Sequence, residues 1–518
     1  LTKGEIQSEF ERLDNRRTNK LQRAQDCSRL TVPGLYPEDG FTETMELPDI
    51  YSSLPARGVM ALASRMVSAI YPLNQTPFFN LEIDQQYVPQ GVDTTETMSQ
   101  LARLDKKIMD KLSSTNLRQE LFVLFQHLIV IGDALFQCTD DYQFRVHRID
   151  HYVVQRYPDG RVYRIILREW VDPDAIPENW NYDSKAEMYG SPENGPSSDH
   201  KPYFTEIVWN PSTSKWDVSV EYCGQVVDGG TYDVNPYIPQ VWSRIAGEDY
   251  GRSLCEEHIG DIRTLEALTK SLVEAAAANA EFRIGVDPTG ITEVSDLQET
   301  ENGDFVPARA VDVFAVQLAK QIDLGPMAGV RQDLIQNLSR TFLLQSSVQR
   351  NADRVTATEI REVAQELDQT LGGIFSGMAR DIQIPLVRRA MILMSRDKLI
   401  PKELVSLITS DKGMLNLKVR TGLEALNREV QNSQLAQWAQ IVGSIKDLQP
   451  YIDWYGWGVK WTSSFGLEPV GLIKTPQQLE AEQQKAAQSS IEQMAAQQSI
   501  QSLGGMAEAA AKQGMAPQ

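Results

Sequence analysis

Residues 253–280 read SLCEEHIGDIRTLEALTKSLVEAAAANA, and the fold turns on how they are read. Ile259, Ile262, Leu265, Leu268, Leu272 and Val273 recur at helical spacing, so one strong helix is expected here. It closes on alanines, which favour helix and leave room for close helix neighbours. A second helical stripe, Leu334, Ile335, Leu338 and Phe342, lies between about residues 327 and 344. Between the two, residues 282–318 hold short strand-like pieces separated by Pro288, Gly290, Gly303 and Pro307. Two helices that bracket a small insert describe a stalk with a tip.

Downstream, residues 345–355 (QSSVQRNADRV) are polar and have no apolar period. Thr356-Ala-Thr-Glu359 has capping-box spacing and should start a long helix. Ile360, Val363, Leu367, Leu371, Ile374, Met378 and Ile382 keep its stripe, which runs on to about residue 394. Forty helical residues would span about 60 Å. Gly372, Gly373 and Pro385 fall inside, so a kink is expected. Trp438, Trp454, Trp457 and Trp461 follow among helical patterns, and from residue 475 the chain collapses to Gln, Ala, Met and Ser. That tail is expected to be partly disordered.

Upstream, Ile6, Phe10, Leu13 and Leu21 share a helical face, a second helix spans about 55–70, a third about 95–112, and Asn116 reads as the cap of a fourth. The period then becomes two. Residues 152–157 and 161–167 make a hairpin around Pro158-Asp-Gly160, and residues 203–209 and 215–223 make another. Residues 173–202 read as a surface loop. Helices followed by an antiparallel meander indicate an α+β chain.

The composition excludes several classes. With 518 residues, 42% of them hydrophobic, the chain is neither disordered nor a small disulfide scaffold. A net charge of −20 argues against a protein that coats nucleic acid. Cys27, Cys138, Cys223 and Cys255 have no metal-ligand spacing and read as reduced thiols of a cytosolic setting. No run of about eighteen apolar residues suggests a membrane span, and the polar stretch from Leu1 is not a signal peptide.

Motifs for chemistry are missing. The sequence has no Gly-x-x-x-x-Gly-Lys-Ser/Thr, Gly-x-Ser-x-Gly or His-Glu-x-x-His. His147 and His151 flank Asp150, but on a strand they would sit two pleats apart, and they read as sheet-surface histidines. Glu256, Glu257 and Asp261 read as a solvated helix face, and Cys255 beside His258 as a small buried residue. The tryptophans read as helix contacts before base-stacking platforms. No catalytic residue, metal ligand or cofactor is expected, which shifts weight from enzymes towards assembly.

One set of segments goes further. Ser346-Ser-Val-Gln-Arg350, Arg354-Val-Thr-Ala-Thr-Glu-Ile-Arg361, Glu366-Leu-Asp-Gln-Thr-Leu-Gly-Gly373 and Pro385-Leu-Val387 come in order. With them go Pro55-Ala-Arg-Gly58, Tyr152-Val-Val-Gln-Arg156, Tyr250-Gly-Arg-Ser253, Gly260-Asp-Ile-Arg-Thr-Leu-Glu266, Asn302-Gly-Asp-Phe-Val306 and Thr421-Gly-Leu-Glu-Ala425. In order and spacing they resemble the portal (head-to-tail connector) proteins of short-tailed podoviruses and autographiviruses, from about residue 10 to residue 475.

That resemblance implies a portal fold. Its parts would be a helical and antiparallel-sheet wing (1–252), a first stem helix (253–281), a small α/β clip (282–322) and a second stem helix (323–344). A tunnel loop (345–356), a long kinked helix with the rest of the wing (357–430), an α-helical crown (431–475) and the tail (476–518) would follow. It implies a ring of twelve copies at one capsid vertex, a channel through which double-stranded DNA is packaged and ejected. Implied partners are the terminase large subunit, the major capsid protein and scaffold, the tail adaptor (tail tube) protein and internal core proteins, with no membrane. The chain would be assembled in the host bacterial cytoplasm and end in the virion.

Implied site residues are Gln349, Arg350 and Arg354 in the tunnel loop, Arg331 and Arg340 facing the stem lumen, Phe282, Arg283, Asp304 and Phe305 docking partners at the clip, and Gly372, Gly373 and Pro385 at the kink. Twelve copies would carry about −240 in total, which suits a lumen through which DNA slides. A head-tail adaptor ring of another kind, or a large α+β enzyme without recognisable motifs, stays open as an alternative.

Overall fold

The computed structural model describes residues 4–38, 40–41, 44–71, 78–82, 94–178, 180, 200–280, 284–290, 292–298, 305, 309, 311–315, 325–344, 366–367, 369–371, 373–400, 418–421, 428–443, 454–464, 473 and 478–479. In chain order the elements begin with α1 (Glu5–Arg16), α2 (Thr18–Leu30), α3 (Leu54–Ile70), β1 (Phe79–Glu82), α4 (Thr94–Ser113) and α5 (Leu117–Val130). Strands follow: β2 (Asp133–Cys138), β3 (Phe144–His147), β4 (Tyr152–Arg156), β5 (Val162–Val171), β6 (Lys201–Asn210), β7 (Lys215–Tyr222), β8 (Gln225–Tyr232) and β9 (Tyr237–Val241). Then come α6 (Leu254–Glu257), α7 (Ile259–Ala280), β10 (Ile284–Val286), α8 (Val294–Gln298), β11 (Val313–Ala315) and α9 (Gly325–Thr341). The last are α10 (Ile374–Arg396), β12 (Lys418–Thr421), α11 (Arg428–Gly443) and α12 (Trp454–Ser464). The expected α+β class holds.

The chain forms two units, residues 1–74 with 111–396, and residues 75–110 with 397–518. In the first, β4 to β8 make an antiparallel meander and β3-β2-β9 a three-stranded sheet. The period-two reading of β5 explains the layers. Ile165 and Leu167 point to one face, where they pack with Tyr152, Ile207 and Leu135; Ile166 points to the other, against Ile6, Phe10 and Leu13 of α1. The larger sheet is therefore filled on both sides. Glu221 fixes α1, its carboxylate accepting from Ile6 N at 2.9 Å and Gln7 N at 3.0 Å, where the helix dipole favours a negative charge. In the second unit β1 pairs antiparallel with β12, and Trp457 stacks on Trp461 at 5.4 Å between ring centroids.

Several expectations need correction. The first helix is two helices. Arg17 turns out of helical geometry (φ −106°, ψ 10°) and is buried, donating to Ile149 O; Leu21, past the break, is only half-buried. Asn116 does begin α5, but its side chain makes no cap bond. It holds β3, donating to Phe144 O at 2.8 Å and accepting from Phe144 N at 2.9 Å. Strand β8 was not anticipated; it enters through a tight turn at Cys223 and Gly224, both at positive φ (49° and 75°), and a hairpin turn of that kind aligns the strands. His147 and His151 do not share a strand, because a 3-10 turn at Ile149–His151 ends β3. His147 is buried rather than on the surface, with Nε2 at 2.8 Å from Gln137 Oε1, and burial pushes its pKa down to about 3.

The long helix is interrupted rather than merely bent. Leu371 and Gly373 are in turns, Gly373 in the left-handed region (φ 82°), where glycine carries no steric penalty, and α10 starts at Ile374. Pro385 lies inside α10 without ending it. A proline has no N–H for the carbonyl four residues earlier. That carbonyl, on Asp381, instead accepts from Gln240 Nε2 of β9 at 3.0 Å. Residues 356–365 and Gly372 lie outside the described residues.

Candidate functional site

Helices α7 and α9 pack on each other as the stalk, and Arg331 Nε donates to Thr269 Oγ1 across them at 3.3 Å. The expected single helix over 253–280 is broken at His258 (φ −109°, ψ 16°), which separates the single turn α6 from α7. Ser253 caps that turn, accepting from Glu256 N at 2.9 Å.

The root of the stalk is a buried ionic knot. Lys20 Nζ reaches from α2 to Asp133 Oδ2 at 3.0 Å, Ile131 O at 2.8 Å, Gly251 O at 2.6 Å and Glu256 Oε2 at 3.6 Å. Arg23 and Arg252 close on Glu256 Oε1 at 2.9 and 2.6 Å. Burial works to raise the Glu256 pKa, but the hydrogen bond from Arg252 and the charges of Lys20 and Arg23 outweigh it and hold it below the usual range. Burial raises the pKa of Asp133 despite Lys20. The solvated face expected for Glu256 is thus wrong. Two of its partners, Lys20 and Arg23, come from α2, so spacing within one helix carries no sign of them; Arg252 stands four residues before it. Cys255 is buried as expected, and its thiol is pushed well up by burial; that of Cys27 rises to about 12. Neither is an activated nucleophile.

At the other foot of the stalk, Phe342 is fully buried against α3. Burial then fades outward. Ile262, Leu265 and Leu338 are inaccessible, Leu268, Leu272, Leu334 and Ile335 are half-buried, and Val273 and Val330 are about half exposed (51% and 52%).

The tip pairs β10 with β11 over three residue pairs and is tied by polar bonds. Asp312 Oδ2 accepts from Thr292 Oγ1 at 3.2 Å, and Asp287 N donates to Asp312 O at 2.9 Å. Asp287 accepts from the hydroxyl and backbone N–H of Thr289, which lower its pKa. Phe305 is fully exposed, and Val311 and Phe314 are exposed with it.

Of the residues singled out from sequence, the structure places Arg331 half-buried on Thr269, Arg340 exposed near the end of α9, Phe305 at the tip, and Gly373 and Pro385 as described. Gln349, Arg350, Arg354, Phe282, Arg283 and Asp304 lie outside the described residues. Among the described residues no group of three or more His, Cys, Asp or Glu is placed to hold a metal, and no helix is long and apolar enough to cross a membrane.

With stalk and tip in view, known proteins can be set beside the chain. The family model for bacteriophage head to tail connecting proteins matches residues 3–457. This chain belongs to that family. Among curated relatives of this connector, the portal protein of Enterobacteria phage T3 is 31% identical over 93% of this chain and 91% of its own length. That of Escherichia phage T7 is 31% identical over 94% and 90%, and that of Enterobacteria phage SP6 25% over 98% and 96%. A chain from the virion of a native gene transfer agent particle aligns over 72% of this connector and 89% of its own length, at 11% identity and a TM-score of 0.32. Family membership implies a structural role.

Proposed function

We propose that this connector is a portal subunit: twelve copies form a ring at one capsid vertex, with the stalks around a channel for double-stranded DNA. The observation that carries this reading is the bare stalk. Among the described residues from 270 to 337 no apolar side chain is buried; only Thr292 and Asp312 are. Helix α7, about 33 Å long by its rise, leads to a tip whose described residues bury no apolar side chain, and a two-stranded sheet of three pairs does not stand alone. Copies packed side by side supply what the single chain lacks.

In this reading Gln349, Arg350 and Arg354 border the DNA, Arg331 and Arg340 lie towards the lumen, and the clip with Phe282, Arg283, Asp304 and Phe305 receives the terminase large subunit and later the tail adaptor. The wing meets the major capsid protein and scaffold, and internal core proteins sit above. Assembly takes place in the host cytoplasm and the ring ends at the head-tail junction. The net charge of −20 per chain lets DNA slide with little adhesion. Native mass measurement tests the ring. A particle near twelve times 58.2 kDa is expected, and a stable monomer at working concentration overturns it.

A further inference from the structure

The end of α9 is built in an unusual way. Phe342 N still donates to Leu338 O at 2.9 Å, but Leu343 N turns to Arg340 O at 3.0 Å and Leu344 N to Ser339 O at 2.8 Å. This closing pattern puts one residue in the left-handed region, a place normally held by glycine. Here it is Leu343, at φ 56°. A leucine stays in that conformation only where its surroundings over-determine it.

Helix α3 supplies those surroundings. Arg65 Nη1 donates to Leu343 O at 2.6 Å, so the strained peptide is held by a charged donor. About two turns earlier on α3, Gly58 makes a notch for the Phe342 ring. A Cβ at position 58 would lie 2.6 Å from Phe342 Cγ and 2.8 Å from Cδ2, distances at which one side must move. Gly58 lies inside a helix, in its second turn, where glycine costs stability relative to alanine, so its absent side chain is what the site uses. Phe342 and Leu338 are inaccessible to solvent here, while the rest of α9 is open on one side. This foot is the fixed point of the second stalk helix.

We propose that Gly58 and Arg65 are positioning residues for DNA passage: they set where α9 stops and the direction in which the chain leaves the stalk, and thereby the bore of the channel. The inference rests on the portal reading and acts through α9, not through contact with DNA. The two residues lie far in sequence from the stalk they hold, which is why a scan for charged or polar loop residues passes over them.

The test uses the full chain in procapsids, with Arg65→Met, Arg65→Lys, Gly58→Ala and the double change Gly58→Ala with Phe342→Leu. Ring mass, and the amount and length of packaged DNA, are read separately. The Arg65→Met chain is expected to form rings as the unsubstituted chain does, while full-length packaging falls about tenfold or more; Arg65→Lys, which can still donate to Leu343 O, restores it to within about twofold. Gly58→Ala should show the same loss, and Phe342→Leu should relieve it by vacating the notch. Unchanged packaging by Arg65→Met overturns the proposal. So does a Gly58→Ala defect, in assembly or in packaging, that Phe342→Leu fails to relieve. If the unsubstituted chain forms no ring, the portal reading itself fails, and the packaging comparison is not what decides it.

Discussion

The two ends of the stalk are built on opposite principles. At the root one ammonium, Lys20, ties α2, the turn after α5, the loop after β9 and the start of the stalk into a single buried knot. At the outer end α7 and α9 leave Val273 and Val330 half exposed, and the described tip is held by threonine and aspartate bonds without an apolar core. The root is complete within one chain; the outer stalk is not. A part that satisfies itself can fold before assembly, whereas a part that stays uncovered awaits neighbours.

The largest effect that sharpens this contrast should come from Lys20→Met. The methionine keeps the volume but leaves Asp133, which is 2% exposed, without its cation. Removing one partner of a buried pair costs about 3–5 kcal/mol. Chemical denaturation of the dilute chain should show a loss of that order. A loss below about 1 kcal/mol, the range of an exposed pair, would mean the root is no more self-contained than the tip.

A smaller effect is expected at Pro385. Gln240→Leu leaves the Asp381 carbonyl without the donor that replaces the missing proline N–H. That bond is part-buried, and losing an ordinary hydrogen bond costs about 0.5–1.5 kcal/mol. In the Pro385→Ala background the alanine N–H can serve that carbonyl, so the same Gln240 change should cost about half as much or less. Equal losses in both backgrounds would show that Gln240 acts by packing alone.

What was legible in the sequence follows the same division. Elements decided by local period and turn chemistry, such as α3, α5 and the β4–β5 hairpin, came through because residues within one segment carry their signal. The stalk-and-tip plan came through for the same reason. Glu256 did not, because a carboxylate on a helix looks the same whether water or Lys20 lies opposite. His147 was misread because a 3-10 turn ends its strand one residue on, and the period of two hides that turn. The Gly373 break was read as a kink because two glycines in a helical stripe do not announce which will take positive φ. Gly58 drew notice only as part of a resembling segment; its notch exists through Phe342, 284 positions away.

The smallest effect on the single chain, and the most pointed for the comparison, concerns the uncovered apolar face. Val273→Gln and Val330→Gln place polar side chains of good helix propensity where half the valine surface is already wet. Little burial is lost in one chain, so dilute unfolding should shift by no more than about 0.5 kcal/mol. In a ring the same positions would leave water on assembly, and burying an unpaired amide against a neighbour is unfavourable. The assembled fraction at a fixed concentration should then drop while the monomer stays as stable as before. If rings form as readily as with valine, these two side chains do not face a neighbour, and the exposure of the outer stalk would have to be a property of the lumen and not of the contact between copies.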